Sequence, residues 1–205
     1  MKDKHVILAA KVFSILFSPH YFPLLSILIL ISFTPLRMFG IDYQIVVLAF
    51  VYVFTIALPT YLISLYRRFM ARRNHKYTRR ELRTIPYIIT ITCYMYCFYV
   101  MAKYYVPTFI ISVVNVSLFV QIACMIVNKM YHISAHAAAV GAINGALIVL
   151  SLYNSFNPMW WLCLTLLIAG CVCTSRVILR RHSLNEVYVG FCVGFIASIL
   201  AIHVL

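Results

Sequence analysis

The chain has 205 residues, of which 64% are hydrophobic and only 10% are charged. A soluble domain of this size carries about a quarter of its residues as charges, so the composition excludes a water-solvated globule. Its 17 Lys and Arg stand against 4 Asp and Glu. These basic residues lie between long apolar runs, which points to lipid headgroups and phosphate as partners and argues against nucleic acid.

In chain order, the first apolar segment, residues 6–17, is broken by Lys11 and has no small-residue cleavage site. It reads as a helix lying along the interface, not as a cleavable leader. A membrane crossing needs about 20 mostly apolar residues. Runs of that kind cover residues 21–39, 44–66, 85–105, 107–127, 133–152, 159–179 and 187–205. Each is continuously apolar and none alternates as a barrel strand would, so helices are expected. The expected fold is all-α, a polytopic transmembrane bundle of six to seven spans forming a single domain over residues 1–205.

Small residues recur at four-residue spacing in two of these runs, as Ala137, Gly141 and Gly145, then Gly190 and Gly194. Such a face lets helix backbones approach closely. The seven cysteines, Cys93, Cys97, Cys124, Cys163, Cys171, Cys173 and Cys192, lie within or beside apolar runs and read as small hydrophobes. They form neither a zinc-type pattern nor a disulfide framework. Tyr104, Tyr105, Trp160 and Trp161 sit at run ends as interfacial anchors.

With seven spans, the N-terminus, the loop 67–84, the turn 128–132 and the segment 180–186 share one face, and only Arg37 and Lys103 among the Lys and Arg fall on the other. The basic side of a membrane protein is normally the cytoplasmic one. The expected location is a bacterial inner (plasma) membrane with this face towards the cytoplasm.

Three clusters on that face could do chemistry. The first is the loop with Arg67, Arg68, Arg72, Arg73, Lys76, Arg79, Arg80 and Arg83, which alone reads as a solvated charge run that sets topology. The second is Ser134-Ala135-His136 at the start of a span, where capping and packing would also explain a Ser and a His. The third, Ser175-Arg176 followed by His182 and Glu186, is harder to dismiss, because ionisable residues at the end of an apolar span are expensive. If the stretch is helical, His182 and Glu186 lie four apart on one face. The carboxylate could then hold one imidazole nitrogen and leave the other as a nucleophile. A surface His–Glu pair near a helix start is the plainer alternative.

Together these clusters resemble the type 2 phosphatidic acid phosphatase superfamily, which includes membrane lipid phosphatases and vanadium haloperoxidases. That family carries Lys-(six residues)-Arg-Pro, then Pro-Ser-Gly-His, then Ser-Arg-(five residues)-His-(three residues)-Asp. Here Lys76 and Arg83 have the first spacing, with Thr84 in place of the proline and a proline only at Pro86. Ile133 and Ala135 replace the Pro and Gly around Ser134 and His136, and Glu186 replaces the Asp after Ser175, Arg176 and His182. The motifs span residues 76–186, and the first 75 residues add nothing to the likeness.

The resemblance implies a phosphatase-like core and a metal-independent hydrolase acting on lipid phosphate esters. His182 would be the nucleophile that becomes phosphohistidine, Glu186 would orient it, and His136 would be general acid and base. Lys76, Arg83, Ser134 and Arg176 would bind phosphate. No cofactor is implied, and the partners would be a phosphorylated lipid substrate and membrane lipids. Many family members work on the outer face, in tension with the charge count. Two other readings stay open. His132, His136, His182 and Glu186 could hold zinc or iron, or the chain could bind or transport a phospholipid without hydrolysing it. His5, His20, His75 and His203 receive no role.

Overall fold

The computed structural model describes residues 2–33, 40–72, 81–154 and 157–204. Among the described residues every regular element is helical: α1 (Lys2–Leu16), α2 (Phe22–Phe33), α3 (Ile41–Tyr52), α4 (Leu58–Arg72), α5 (Glu81–Lys103), α6 (Thr108–Met130), α7 (Ala135–Asn154), α8 (Met159–Ile178) and α9 (Leu184–His203). Seven stretches are long and apolar enough to cross a membrane: His5–Leu28, Ile41–Met70, Thr84–Lys103, Thr108–Met130, Ala135–Tyr153, Met159–Ile178 and Leu184–His203. Seven crossing-length helical stretches, with no strand among the described residues, make this an all-α integral membrane protein.

The N-terminal end differs from the sequence reading. Residues 6–17 belong to α1, a short 3₁₀ turn Pro19–Tyr21 follows, and the first crossing-length stretch starts at His5 instead of residue 21. Lys11 does not break α1, because lysine is a good helix former and its long stem lets the ammonium leave an apolar surface. The later part of the expected first span, residues 34–39, lies outside the described residues.

The second crossing also carries a feature absent from the apolar pattern, a π-helical turn at Val53–Ala57 between α3 and α4. Pro59 follows it and has no N–H to give to the carbonyl four residues back, and its ring would crowd that carbonyl. Widening the helix by one residue is a common accommodation.

The chain divides into two compact units, residues 20–121 and residues 1–19 with 122–205. The core of the first is a cluster of Ile27, Val47, Val51, Cys97, Met101, Ile110, Ile111 and Val114, drawn from α2, α3, α5 and α6. In lipid such packing rests on van der Waals fit, since the tails are as apolar as the side chains.

The second unit holds α1, the end of α6, and α7 to α9. Its tightest contact is between α7 and α9, and the small residues make it. A methyl group on Gly194 would overlap the Ala138 carbonyl, and one on Gly141 would overlap the Phe191 carbonyl. One on Gly190 would stand 2.7 Å from the Ser134 carbonyl oxygen. Ala137 and Ala138 are fully buried against this seam. A polar tie joins α7 to α8, where Thr165 donates to the Asn144 side-chain oxygen at 2.9 Å.

Gly194→Ala should therefore destabilise the protein by about 1–3 kcal/mol, the usual range for overpacking. Gly170 faces open space, so Gly170→Ala should stay within about 0.5 kcal/mol of wild type. Thermal unfolding of both variants in one detergent checks the pair; equal melting temperatures would remove the α7–α9 seam from its role.

Candidate active site

Two chain reversals at one end of the second unit build the site. The first joins α8 to α9. Arg180 lies in the left-handed region at φ 52°, where Arg181 N–H reaches the Arg176 carbonyl and Arg180 N–H reaches that of Val177. This is a Schellman ending, usually made with glycine. Ser183 then caps α9 through a capping box, its hydroxyl accepting from Glu186 N–H while the Glu186 carboxylate accepts from Ser183 N–H.

His182 thus sits in the turn before α9 and not on a helix, which corrects the helical spacing expected for it. The pair still forms, because the capping box folds Glu186 back over the turn. His182 Nδ1 lies 2.9 Å from Glu186 Oε2. A carboxylate oxygen accepts, so this contact holds the proton on Nδ1 and leaves the Nε2 lone pair available. Burial pushes the His182 imidazole below its ordinary value of 6.5; the hydrogen bond to Glu186 opposes that, and the charges of His132 and Arg176 add to it. The ring is neutral at neutral pH.

The second reversal joins α6 to α7. Asn128 accepts from Ile133 N–H at 3.2 Å, and Ser134 N–H donates to the Glu186 carbonyl at 3.2 Å, which ties the two reversals together. Ser134 is fully buried and caps α7, its hydroxyl accepting from Ala137 N–H at 3.4 Å. His136 occupies the first turn of α7, where the helix dipole favours an anion.

A residue that no motif marks joins the site from α1. The Ser14 hydroxyl accepts from Arg176 Nη1 at 2.7 Å, and its carbonyl lies 3.2 Å from His136 Nε2. A carbonyl only accepts, so His136 carries its proton on Nε2 there. Arg176 Nε is buried without a partner among the described residues. An orphaned donor of this kind costs about 1–3 kcal/mol until an acceptor arrives.

His132 Nδ1 also reaches Glu186 Oε2, at 3.3 Å. His132, His182 and Glu186 bring their ligand atoms within 4.8 Å of one another, while His136 is turned to Ser14. Of the remaining predicted residues, Lys76 lies outside the described residues, and only the backbone of Arg83 is described, on α5 in the other unit. Ser183 was legible in the sequence as the head of a Ser-x-x-Glu capping box. Ser14 carried no signal, being 162 residues from Arg176.

The fold and these two reversals define a helical membrane protein with paired histidines, a carboxylate and a half-buried arginine at one end of a span. Residues 105–205 match the family model of the PAP2 superfamily. This stretch belongs to that superfamily, the type 2 phosphatidic acid phosphatases, and it contains Ser134, His136, Arg176, His182 and Glu186. No curated protein and no solved structure was found to match it.

Two outcomes follow from the geometry. Glu186→Ala removes half of the capping box and should lower stability by about 1 kcal/mol, whereas Glu186→Gln, which still serves as a cap, should lose less. Because the folded His182 pKa is lowered, the unfolded chain takes up the proton first as pH falls. Stability should decline from pH 6.5 downward and level off below the folded value. His182→Gln should flatten that part of a melting-temperature profile; an unchanged slope would contradict the burial described.

Proposed function

We propose that this protein is a membrane-embedded lipid phosphate phosphatase that hydrolyses a phosphomonoester or diphosphate of an amphiphilic lipid through a phosphohistidine. The observation that carries the reading is the 2.9 Å contact between His182 Nδ1 and Glu186 Oε2, which leaves Nε2 free to attack. The superfamily supports a phosphatase role, and Arg176 Nε–H, without a partner among the described residues, offers a donor for a phosphoryl oxygen.

In the proposed reaction His182 Nε2 attacks phosphorus and the bond to the lipid oxygen breaks. The departing oxygen takes the Nε2 proton of a doubly protonated His136, which is left neutral. Water then attacks the phosphohistidine, giving its proton to His136, and the P–N bond breaks to release inorganic phosphate. Phosphoryl transfer asks a protein mainly for positioning and positive charge around the equatorial oxygens. Arg176 would supply that charge, and Ser134 would mark the helix start that receives the remaining oxygen. The Ser14 hydroxyl and carbonyl are oxygens that a phosphoryl group would replace on Arg176 and His136.

A groove of about 590 Å³ is lined by Val6, Ile7, Lys11, Ile178, Leu179, Arg180 and Arg181. Its cations suit an anionic head, and its apolar residues suit the start of an acyl or prenyl tail. The positive-inside rule supports a cytoplasmic face for this end, which in this reading lies in a bacterial plasma membrane. A second reading is favoured by one observation: the ligand atoms of His132, His182 and Glu186 converge closely enough to hold a cation. A binding or transport protein is the third reading, motivated by the Ile133, Ala135 and Glu186 replacements.

Phosphate release from phosphatidic acid, phosphatidylglycerol phosphate, an isoprenoid diphosphate and a lipid A phosphate separates these readings. At least one lipid should be hydrolysed, with inhibition by vanadate and indifference to EDTA. His182→Ala should lower the rate by about 10³-fold or more, and Arg176→Ala by about 10²–10³-fold. Loss of activity in EDTA would establish the metal reading instead, and no release from any lipid would favour the binding protein.

A further inference from the structure

His132 belongs to no motif, yet the structure brings it to the centre of the site. Its Nδ1 lies 3.3 Å from Glu186 Oε2, the same oxygen that holds His182 Nδ1 at 2.9 Å. Its ring stacks on the His182 ring, with centroids 4.6 Å apart and planes 26° from parallel. Two hydrogen bonds hold the backbone directly after it, from Ile133 N–H to the Asn128 side chain and from Ser134 N–H to the Glu186 carbonyl. An ordinary interfacial histidine has no need of a carboxylate, a stacked ring and two anchored neighbours at once.

We propose that His132 is a positioning residue, which splits the Glu186 carboxylate with His182 and braces the His182 ring in the plane from which Nε2 attacks. The proposal rests on the reading of His182 as nucleophile. Glu186 Oε2 receives Ser183 N–H as well, at 3.2 Å, so three donors share one oxygen. A shared acceptor holds each donor less tightly than a private one. His132 thereby limits how far the carboxylate draws on the His182 ring, while its stacked face blocks ring rotation. The extra methylene of glutamate relative to aspartate gives the carboxylate its longer reach, and the motif departure at Glu186 and the presence of His132 form one arrangement.

Two measurements test this on full-length protein in detergent. The first is independent of catalysis: the imidazole Nδ1 proton resonances of protein labelled with ¹⁵N-histidine. His132→Phe keeps a stacking ring but removes a donor, so one low-field resonance should vanish and that of His182 should move further downfield as Glu186 becomes its own. A His182 resonance that does not move overturns the shared carboxylate. The second is a kinetic cycle on phosphatidic acid with His132→Phe, Glu186→Gln and the double variant.

His132→Phe should lower kcat by about 10- to 100-fold, as loss of an outer orienting partner does, with KM changed less than about threefold. His132→Gln, which retains a side-chain N–H, should recover part of the loss. In the Glu186→Gln background His132→Phe should have little further effect, because the residue acts through that carboxylate. Additive losses would overturn the proposal. If wild-type protein releases no phosphate from any lipid, the phosphatase reading falls, and the resonance of His182 alone decides whether His132 shares the carboxylate.

Discussion

Helices α7 and α9 approach until backbone meets backbone, and almost everything chemical in the second unit depends on that distance. Gly141, Gly145, Gly190 and Gly194 leave no side chain to hold the axes apart. Between helices in lipid there is little hydrophobic drive, and close van der Waals contact takes its place. The approach begins at the helix starts, where Gly190 faces Ser134. A longer separation would break the Ser134–Glu186 backbone bond and with it the register between the two reversals. His136 and His182 then would no longer be held by the same framework.

Glu186 concentrates this dependence in one side chain. It closes the capping box of α9, orients His182 and touches His132, all through Oε2. Arg176 completes the arrangement from α8, where the Schellman ending keeps it next to the turn that carries His182. The buried Nε of that arginine has no partner among the described residues. Polar groups are normally paired when buried, and exceptions gather where a ligand will supply the partner. The membrane adds to the constraint, because an arginine at a span end has few other places to go.

Much of this was legible in the sequence, for identifiable reasons. Continuous apolar runs separated by basic turns gave the crossings from residue 41 onward, since lipid forces each run into a helix. The four-residue spacing of glycines marked the α7–α9 seam. The N-terminal end was misread because Lys11 looked like an interruption, whereas α1 carries it on a side chain long enough to reach polar surroundings. The four-residue step from His182 to Glu186 indicated contact but suggested a helix. The real reversal depends on Arg180 adopting a backbone conformation that arginine rarely takes, and residue type gives no notice of that. The Ser14 contact was invisible for a different reason: it joins positions 122 and 162 residues apart and belongs to no repeating pattern.

The double duty of Glu186 has an evolutionary side. A descendant that abandoned the chemistry would be free to lose His182, but the start of α9 would still favour a glutamate three residues after Ser183. The carboxylate would persist for the sake of folding alone. Among divergent relatives, a retained acid at this position is thus a poor witness to activity, and the histidine before the cap is the better one.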